Sequence, residues 1–307
     1  MSEKKKFKLG GPLILILAAM IWGLSFVAQK SGMEYVGSFT FTAIRLVLAT
    51  LTLLPIVITN RKRIPTNLSD DELKAKNRRT VKGCICVGLC LCVGLNLQQY
   101  AFNYIEAGKV GFITALYMLL VPIFGLFIKK KPPFTIWIGV ALGVLALYLI
   151  CMGGSKGFTV GTGELLTILC AVAFALHILV IYFFSDVDSV ELSCGQFFVA
   201  AIISLILMFI FEKPNLAGIK DAAFTIFYAG VFSSAIAFTF QIIGQKKTEP
   251  ALASLLLCLE SVFSVIFAFI LPPHEKLSLT EYIGCAIMFA AILIAQVPSK
   301  VISRNND

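Results

Sequence analysis

Ten apolar stretches of about twenty residues each fill most of this chain, and they fall into two sets of five. They cover 9–29, 37–59, 83–104, 110–128, 133–152, 161–184, 193–211, 222–244, 250–271 and 279–297. An α-helix needs roughly twenty such residues to cross a hydrocarbon core of about 30 Å. Five is odd, so a second set that repeats the first lies upside down in the membrane, the geometry of many transporters. The sequence predicts an all-α membrane protein: ten transmembrane helices as two inverted five-helix repeats around a central cavity. The first repeat takes 1–152 and the second 161–297, with a tail at 298–307.

Composition excludes a soluble globule. Charged residues make up 14% and apolar ones 58%, with a mean hydropathy of +0.90, whereas soluble domains carry about a quarter charged residues. The net charge of +9 is uneven. With Met1 on the cytoplasmic side, the inner segments are Met1–Lys8, Asn60–Lys82, Lys129–Lys131, Ser185–Leu192, Gly244–Glu249 and the tail. They hold 19 of the 26 Lys and Arg residues, the outer segments hold six, and Arg45 lies within a span. This positive-inside bias predicts both termini in the cytoplasm of a cell that keeps the protein in its cytoplasmic membrane. The basic surplus is attraction to anionic headgroups, with no nucleic acid as partner. The apolar run after MSEKKKFK is too long for a signal peptide, so an uncleaved first helix is expected.

The repeat is weak in identity and consistent in order. Tyr104–Ile128 lies without a gap along Lys246–Ile270, and Phe127-Ile128 matches Phe269-Ile270. Trp137-Ile138-Gly139 matches Tyr282-Ile283-Gly284, and Trp22-Gly23 matches Phe174-Ala175. Gly139-x-x-x-Gly143 lets another helix approach closely, inside the bundle or at a homodimer face. Pro122 removes a backbone donor and frees the carbonyl of Met118, which predicts a kink in the fourth helix. Between spans two and three, Ser69 with Glu72 three residues on is a capping-box start. It predicts either a short surface helix through Asn77, with Lys74, Lys76, Arg78 and Arg79 against the headgroups, or a solvated linker.

Polar side chains are costly in a bilayer unless they face the bundle interior or water, so the intramembrane polar residues point to a pathway. Trp22, Ser25 and Gln29 follow Ala18 as a stripe on the first helix, and Cys170, Phe174 and His177 are its counterpart on the sixth. Cys92, Asn96, Gln99 and Asn103 make a stripe on the third. Two readings stand for these stripes: a shared cavity, or hydrogen bonds that hold the bundle. Glu260 sits about ten residues into its span, too deep to snorkel, and must be paired, protonated or wet. It is a coupling or substrate-contact candidate, with Ser264 one turn on, or the holder of a structural hydrogen bond. Arg45 lies roughly 12 Å below the outer surface at 1.5 Å per residue. It is either a snorkelling cation or a fixed one for an anionic group. His177 is a wall residue or a proton relay.

Of nine cysteines, Cys84, Cys86, Cys90 and Cys92 crowd one helix where no histidine or acidic residue lies within their reach, and the other five are scattered through other spans. They are apolar filler, and no metal or other cofactor is expected. Two histidines, no paired intramembrane carboxylates and no phosphate loop leave enzyme chemistry poorly supported. Its remaining form is an intramembrane enzyme acting on a lipid or isoprenoid.

Several runs resemble the EamA-type family of the drug/metabolite transporter superfamily. They are Ala19-x-x-Trp22-Gly23-x-x-Phe26, Arg45, Leu97-Gln98-Gln99, the stretch from Tyr104 through Tyr117 to Pro122-Ile123, and Glu249-Pro250-x-x-Ala253 through Leu259-Glu260-Ser261-Val262-Phe263. The resemblance implies ten helices as inverted repeats and secondary transport of a small solute, and it adds Tyr117 to the cavity candidates. Ser261 stands where the family usually has proline, which predicts a straighter ninth helix. Pro273-His274-Glu275 replaces the usual Gly-Glu. The expected function is alternating access by helices one, three, four, six, eight and nine, with proton coupling through Glu260. A passive channel is the third possibility.

Overall fold

Each apolar run forms a helix in the computed structural model, which describes residues 10–62, 69–152, 161–270 and 278–297. Pro273-His274-Glu275 and the tail at 298–307 lie outside the described residues. The first half comprises α1 (Gly10–Gly32), α2 (Ser38–Lys62), α3 (Asp70–Ala101), the fourth span as α4 (Ala107–Ala115) and α5 (Tyr117–Phe127), and α6 (Phe134–Met152). The second half has α7 (Thr162–Phe183), α8 (Ser189–Phe211), a short α9 (Leu216–Asp221), and the eighth span as α10 (Ala223–Phe227), a π-helical stretch (Tyr228–Phe238) and α11 (Thr239–Gln245). It closes with the ninth span as α12 (Pro250–Leu257) and α13 (Leu259–Ile270), then α14 (Leu279–Gln296).

Capping decides where these helices start. Ser69 caps α3 with the expected box to Glu72, but no separate surface helix follows. The helix runs unbroken from Asp70 to Ala101, so Lys74–Lys82 are its first three turns. Lowered hydropathy hid this, because Lys, Arg and Glu are good helix formers. Likewise Asp188 accepts hydrogen bonds from the N–H groups of Val190 (2.9 Å) and Glu191 (3.0 Å), which starts α8 at Ser189, ahead of the apolar run.

The halves interlock with a two-fold exchange of equivalent helices. α3 packs on α7 as the eighth span packs on α1, and the fourth span packs on α7 as the ninth packs on α1. α2 pairs with α8, and α6 with α14, across the exchange. Local detail repeats too. A Cβ on Gly163 would come within 2.8 Å of Ile105, and one on the equivalent Gly11 within 2.9 Å of Lys247, the residue aligned with Ile105. The fourth span breaks at Leu116 and the ninth at Cys258, which are also aligned. The break at Leu116 precedes Pro122, which lies inside α5. The ninth span breaks with no proline at or near the break, its Pro250 standing two turns earlier at the first position of α12, against the straighter helix expected from Ser261. The two interruptions touch: the Cys258 thiol donates to the Ala115 carbonyl at 3.5 Å, one of the acceptors released where α4 ends.

Gly139 and Gly143 take part in packing within the chain. A Cβ on Gly139 would come within 2.9 Å of the Ala291 carbonyl, and one on Gly143 within 3.0 Å of Leu255. The close approach they permit is to α14 and α12, so this motif is not a dimer face.

Candidate functional site

A chamber lies between the halves. Trp22, Ser25, Phe26 and Gln29 of α1 line it with Arg45 of α2, Leu95 and Gln98 of α3, and Thr114 and Tyr117 at the break of the fourth span. The second half adds Phe174 and Ile178 of α7, Ser233, Phe238 and Gln241 of the eighth span, and Leu257 and Glu260 of the ninth. All six helices expected to line a cavity do so, and α2 joins them through Arg45. The chamber measures about 50 Å³ to water centres, room for a few waters.

One end of the chamber is polar. Arg45 is only 2% exposed, so its guanidinium turns inward and does not snorkel. Its Nη1 donates to Gln29 Oε1 at 2.9 Å, its Nε to Ser234 Oγ at 3.1 Å and its Nη2 to Ser233 Oγ at 3.4 Å. Ser25 donates to Ser233 at 2.8 Å and closes the ring. Every partner is neutral, and among the described residues no carboxylate forms an ion pair with Arg45. The π-helical stretch makes this possible. Its wider i→i+5 turns bring Ser233 and Ser234, neighbours in sequence, onto one guanidinium. Trp22 Nε1 donates to the Ser233 carbonyl at 2.9 Å, which fixes the indole against the same stretch.

Glu260 occupies the opposite wall. It is the second residue of α13, where the unpaired N–H groups of a helix start favour negative charge. The carboxylate is 5% exposed and has no ion-pair partner among the described residues. A Cβ on Gly23 would fall within 2.7 Å of Phe263 and 2.9 Å of the Ser264 nitrogen, so only glycine lets α1 lie this close to the turn bearing Glu260. The Gln241 side-chain oxygen is buried and lacks a hydrogen-bond partner among the described residues, and the buried Tyr117 hydroxyl lies beside the Cys258 thiol.

Of the residues singled out in the sequence, Trp22, Ser25, Gln29, Arg45, Tyr117 and Glu260 meet in the chamber. Asn96, Gln99, His177 and Ser264 do not line it. Asn96 donates to Ser204 of α8 at 2.8 Å, so the third-helix stripe ties α3 to α8. Gln99 donates to the Gln29 carbonyl at 3.3 Å, one layer behind the wall. His177 is fully buried, with Nε2 2.9 Å from Gln196 Oε1 and its ring between Phe174 and Phe238. Ser264 is half-buried at the α1 contact. The sequence reading missed Ser233, Ser234, Gln241 and Gln98, the last of which donates to Thr114 at 3.3 Å.

A family model described as the EamA-like transporter family matches residues 9–152 and again 161–296. Over 295 residues the chain is 25% identical to an uncharacterized transporter of Archaeoglobus fulgidus, covering 94% of this chain and 87% of that one. It is 20% identical over 288 residues to the uncharacterized transporter YoaV of Bacillus subtilis, covering 91% and 94%. One solved crystal structure superposes with a TM-score of 0.76 at 18% identity, over 95% of this chain and 98% of its own, a likeness of fold.

Proposed function

The chain belongs to the EamA-like transporter family, and from that premise we propose that it is a secondary active carrier, moving a small solute with an anionic group by alternating access. A transporter family leaves no place for the intramembrane enzyme. The observation that carries the reading is a pair of opposite charges lining one chamber, Arg45 and Glu260, with no ion pair between them. A charge left unmatched away from water is costly, so each is a place for something that arrives and leaves.

In this reading Arg45 takes the anionic group, because a guanidinium presents its donors in a fixed fork suited to carboxylate or phosphate. Glu260 takes the coupling proton. The Tyr117 hydroxyl and the Gln241 oxygen, both in the chamber lining, orient the rest of the solute. Both halves supply wall residues, so rocking one against the other opens the chamber to each side in turn. The distribution of Lys and Arg favours cytoplasmic termini and the cytoplasmic membrane.

Proteoliposomes offered metabolite and vitamin mixtures, with and without an imposed pH gradient, test the proposal. Saturable, concentrative movement that follows the gradient in the wild type, and ceases to follow it in Glu260→Gln, is expected. Flux that neither saturates nor concentrates its solute would make the protein a channel. Unchanged pH dependence in Glu260→Gln would remove the coupling role.

A further inference from the structure

Away from the chamber, a furrow of about 760 Å³ lies between α2, α3 and α8. Its floor is small: Thr50, Cys84, Cys194, Gly195 and Ala201. Its rim is large and exposed, with Leu51, Leu54, Val81, Ile85, Phe198 and Ile202 all more than two-fifths accessible. Small residues below and bulky ones beside them leave an apolar trough that the described residues do not fill.

The trough has a direction. From Arg61 at one end to Val47 at the other is roughly 21 Å at 1.5 Å per residue of α2. One leaflet of a bilayer core is about 15 Å deep, so the furrow runs the depth of a leaflet and opens at its surface. An acyl chain extended from the headgroup layer matches this length and this apolar lining.

The mouth is cationic. Arg61 uses Nε (2.8 Å) and Nη2 (3.4 Å) on Glu191, which leaves its other terminal nitrogen without a partner among the described residues. Its side chain is 52% exposed, whereas that of Glu191 is 9% exposed. Lys62 follows it at the end of α2. On α3, Arg78 lies on the same stripe as the rim residues Val81 and Ile85, one turn nearer the surface. Arg61 thus pairs with one largely covered carboxylate, and Lys62 and Arg78 add two further cations towards the same ends of α2 and α3.

We propose that the furrow binds one acyl chain of an anionic phospholipid, whose phosphate is held at the mouth by Arg61 and Arg78. Basic pockets between helices at the membrane surface take such headgroups. The site is separate from the solute chamber, and its occupancy does not depend on the transported solute.

Native mass spectrometry of the full-length protein in detergent, titrated with phosphatidylglycerol and in parallel with phosphatidylcholine of the same chains, tests this. The wild type is expected to retain one phosphatidylglycerol with at least about tenfold preference, and Arg78→Gln to lose about fivefold of it, the effect of one cation near a membrane surface. Ala201→Phe, which fills the floor, is expected to remove the retained lipid of either headgroup. Val47→Phe fills the inner end and serves if the first variant does not fold. Equal retention of both lipids by the wild type, a preference untouched in Arg78→Gln, or retention that survives the fillers would overturn the proposal. So would a wild-type dimer that the fillers dissociate, which would make the furrow a seam between two copies.

Discussion

Seven residues after the start of α2 stands Arg45, and seven after the start of α8, at the equivalent place in the second half, stands Gln196. Each reaches the first helix of its own half, Arg45 to Gln29 and Gln196 to His177. Arg45 opens onto the chamber as an unmatched cation, whereas His177 and Gln196 form a neutral pair sealed among aromatic rings. The broken spans differ in the same manner. Two residues past the break at Leu116 comes Met118, and two past the break at Cys258 comes Glu260. Duplication supplied the places where the helices bend, and divergence put one charge from each half at places its copy keeps neutral.

The largest test of that asymmetry is Arg45→Met. It removes charge-assisted hydrogen bonds worth about 1.5–3 kcal/mol each, so transport is expected to fall about 100-fold or more. Melting of the purified protein should move down only modestly, reflecting the cost, about 1–3 kcal/mol, of leaving the Gln29 side-chain oxygen without its donor. A variant that unfolds would make Arg45 a structural cation and break the comparison. Next comes Glu260→Gln, expected to abolish gradient-driven accumulation, about tenfold per imposed pH unit for one coupled proton, while exchange of solute across the membrane without a gradient persists. Gln196→Leu leaves the His177 ring without its partner, at a cost of about 1–3 kcal/mol. It should lower the melting temperature and leave solute KM unchanged; a shifted KM would put the sealed pair in the pathway. The smallest effect belongs outside the membrane, where Arg79 grips Asp186 through Nε at 3.0 Å and Nη2 at 2.9 Å. The Arg79 guanidinium holds this carboxyl below the ordinary aspartate range. Its contribution to stability is therefore present above the unfolded carboxyl pKa and lost as pH falls through the lowered one. Asp186→Asn should melt slightly below the wild type at pH 7, the gap closing in acid; a gap that persisted there would assign the loss to packing.

The ten spans were legible because lipid enforces apolar length, and the α1 stripe because Trp22, Ser25 and Gln29 share one helical face. Ser233-Ser234 was not legible. Neighbours cannot share a face of an ordinary α-helix, and nothing in the residues announces the π register that brings them together. Gln98 was passed over for Asn96 and Gln99, since an amide stripe also serves to tie one helix to the next. The break at Cys258 was hidden for a different reason: an aligned partner set it, with no local breaker to mark it.

One last consequence concerns α3. Because the helix is continuous from its cap at Ser69 to Gln98 in the chamber wall, its outer part acts as a pointer. From Gln98 to Asp70 the helix measures about 42 Å, so a ten-degree tilt at the wall sweeps its tip by about 7 Å. A spin label at Lys74 could follow the working cycle from the water phase, without touching the residues that carry it out.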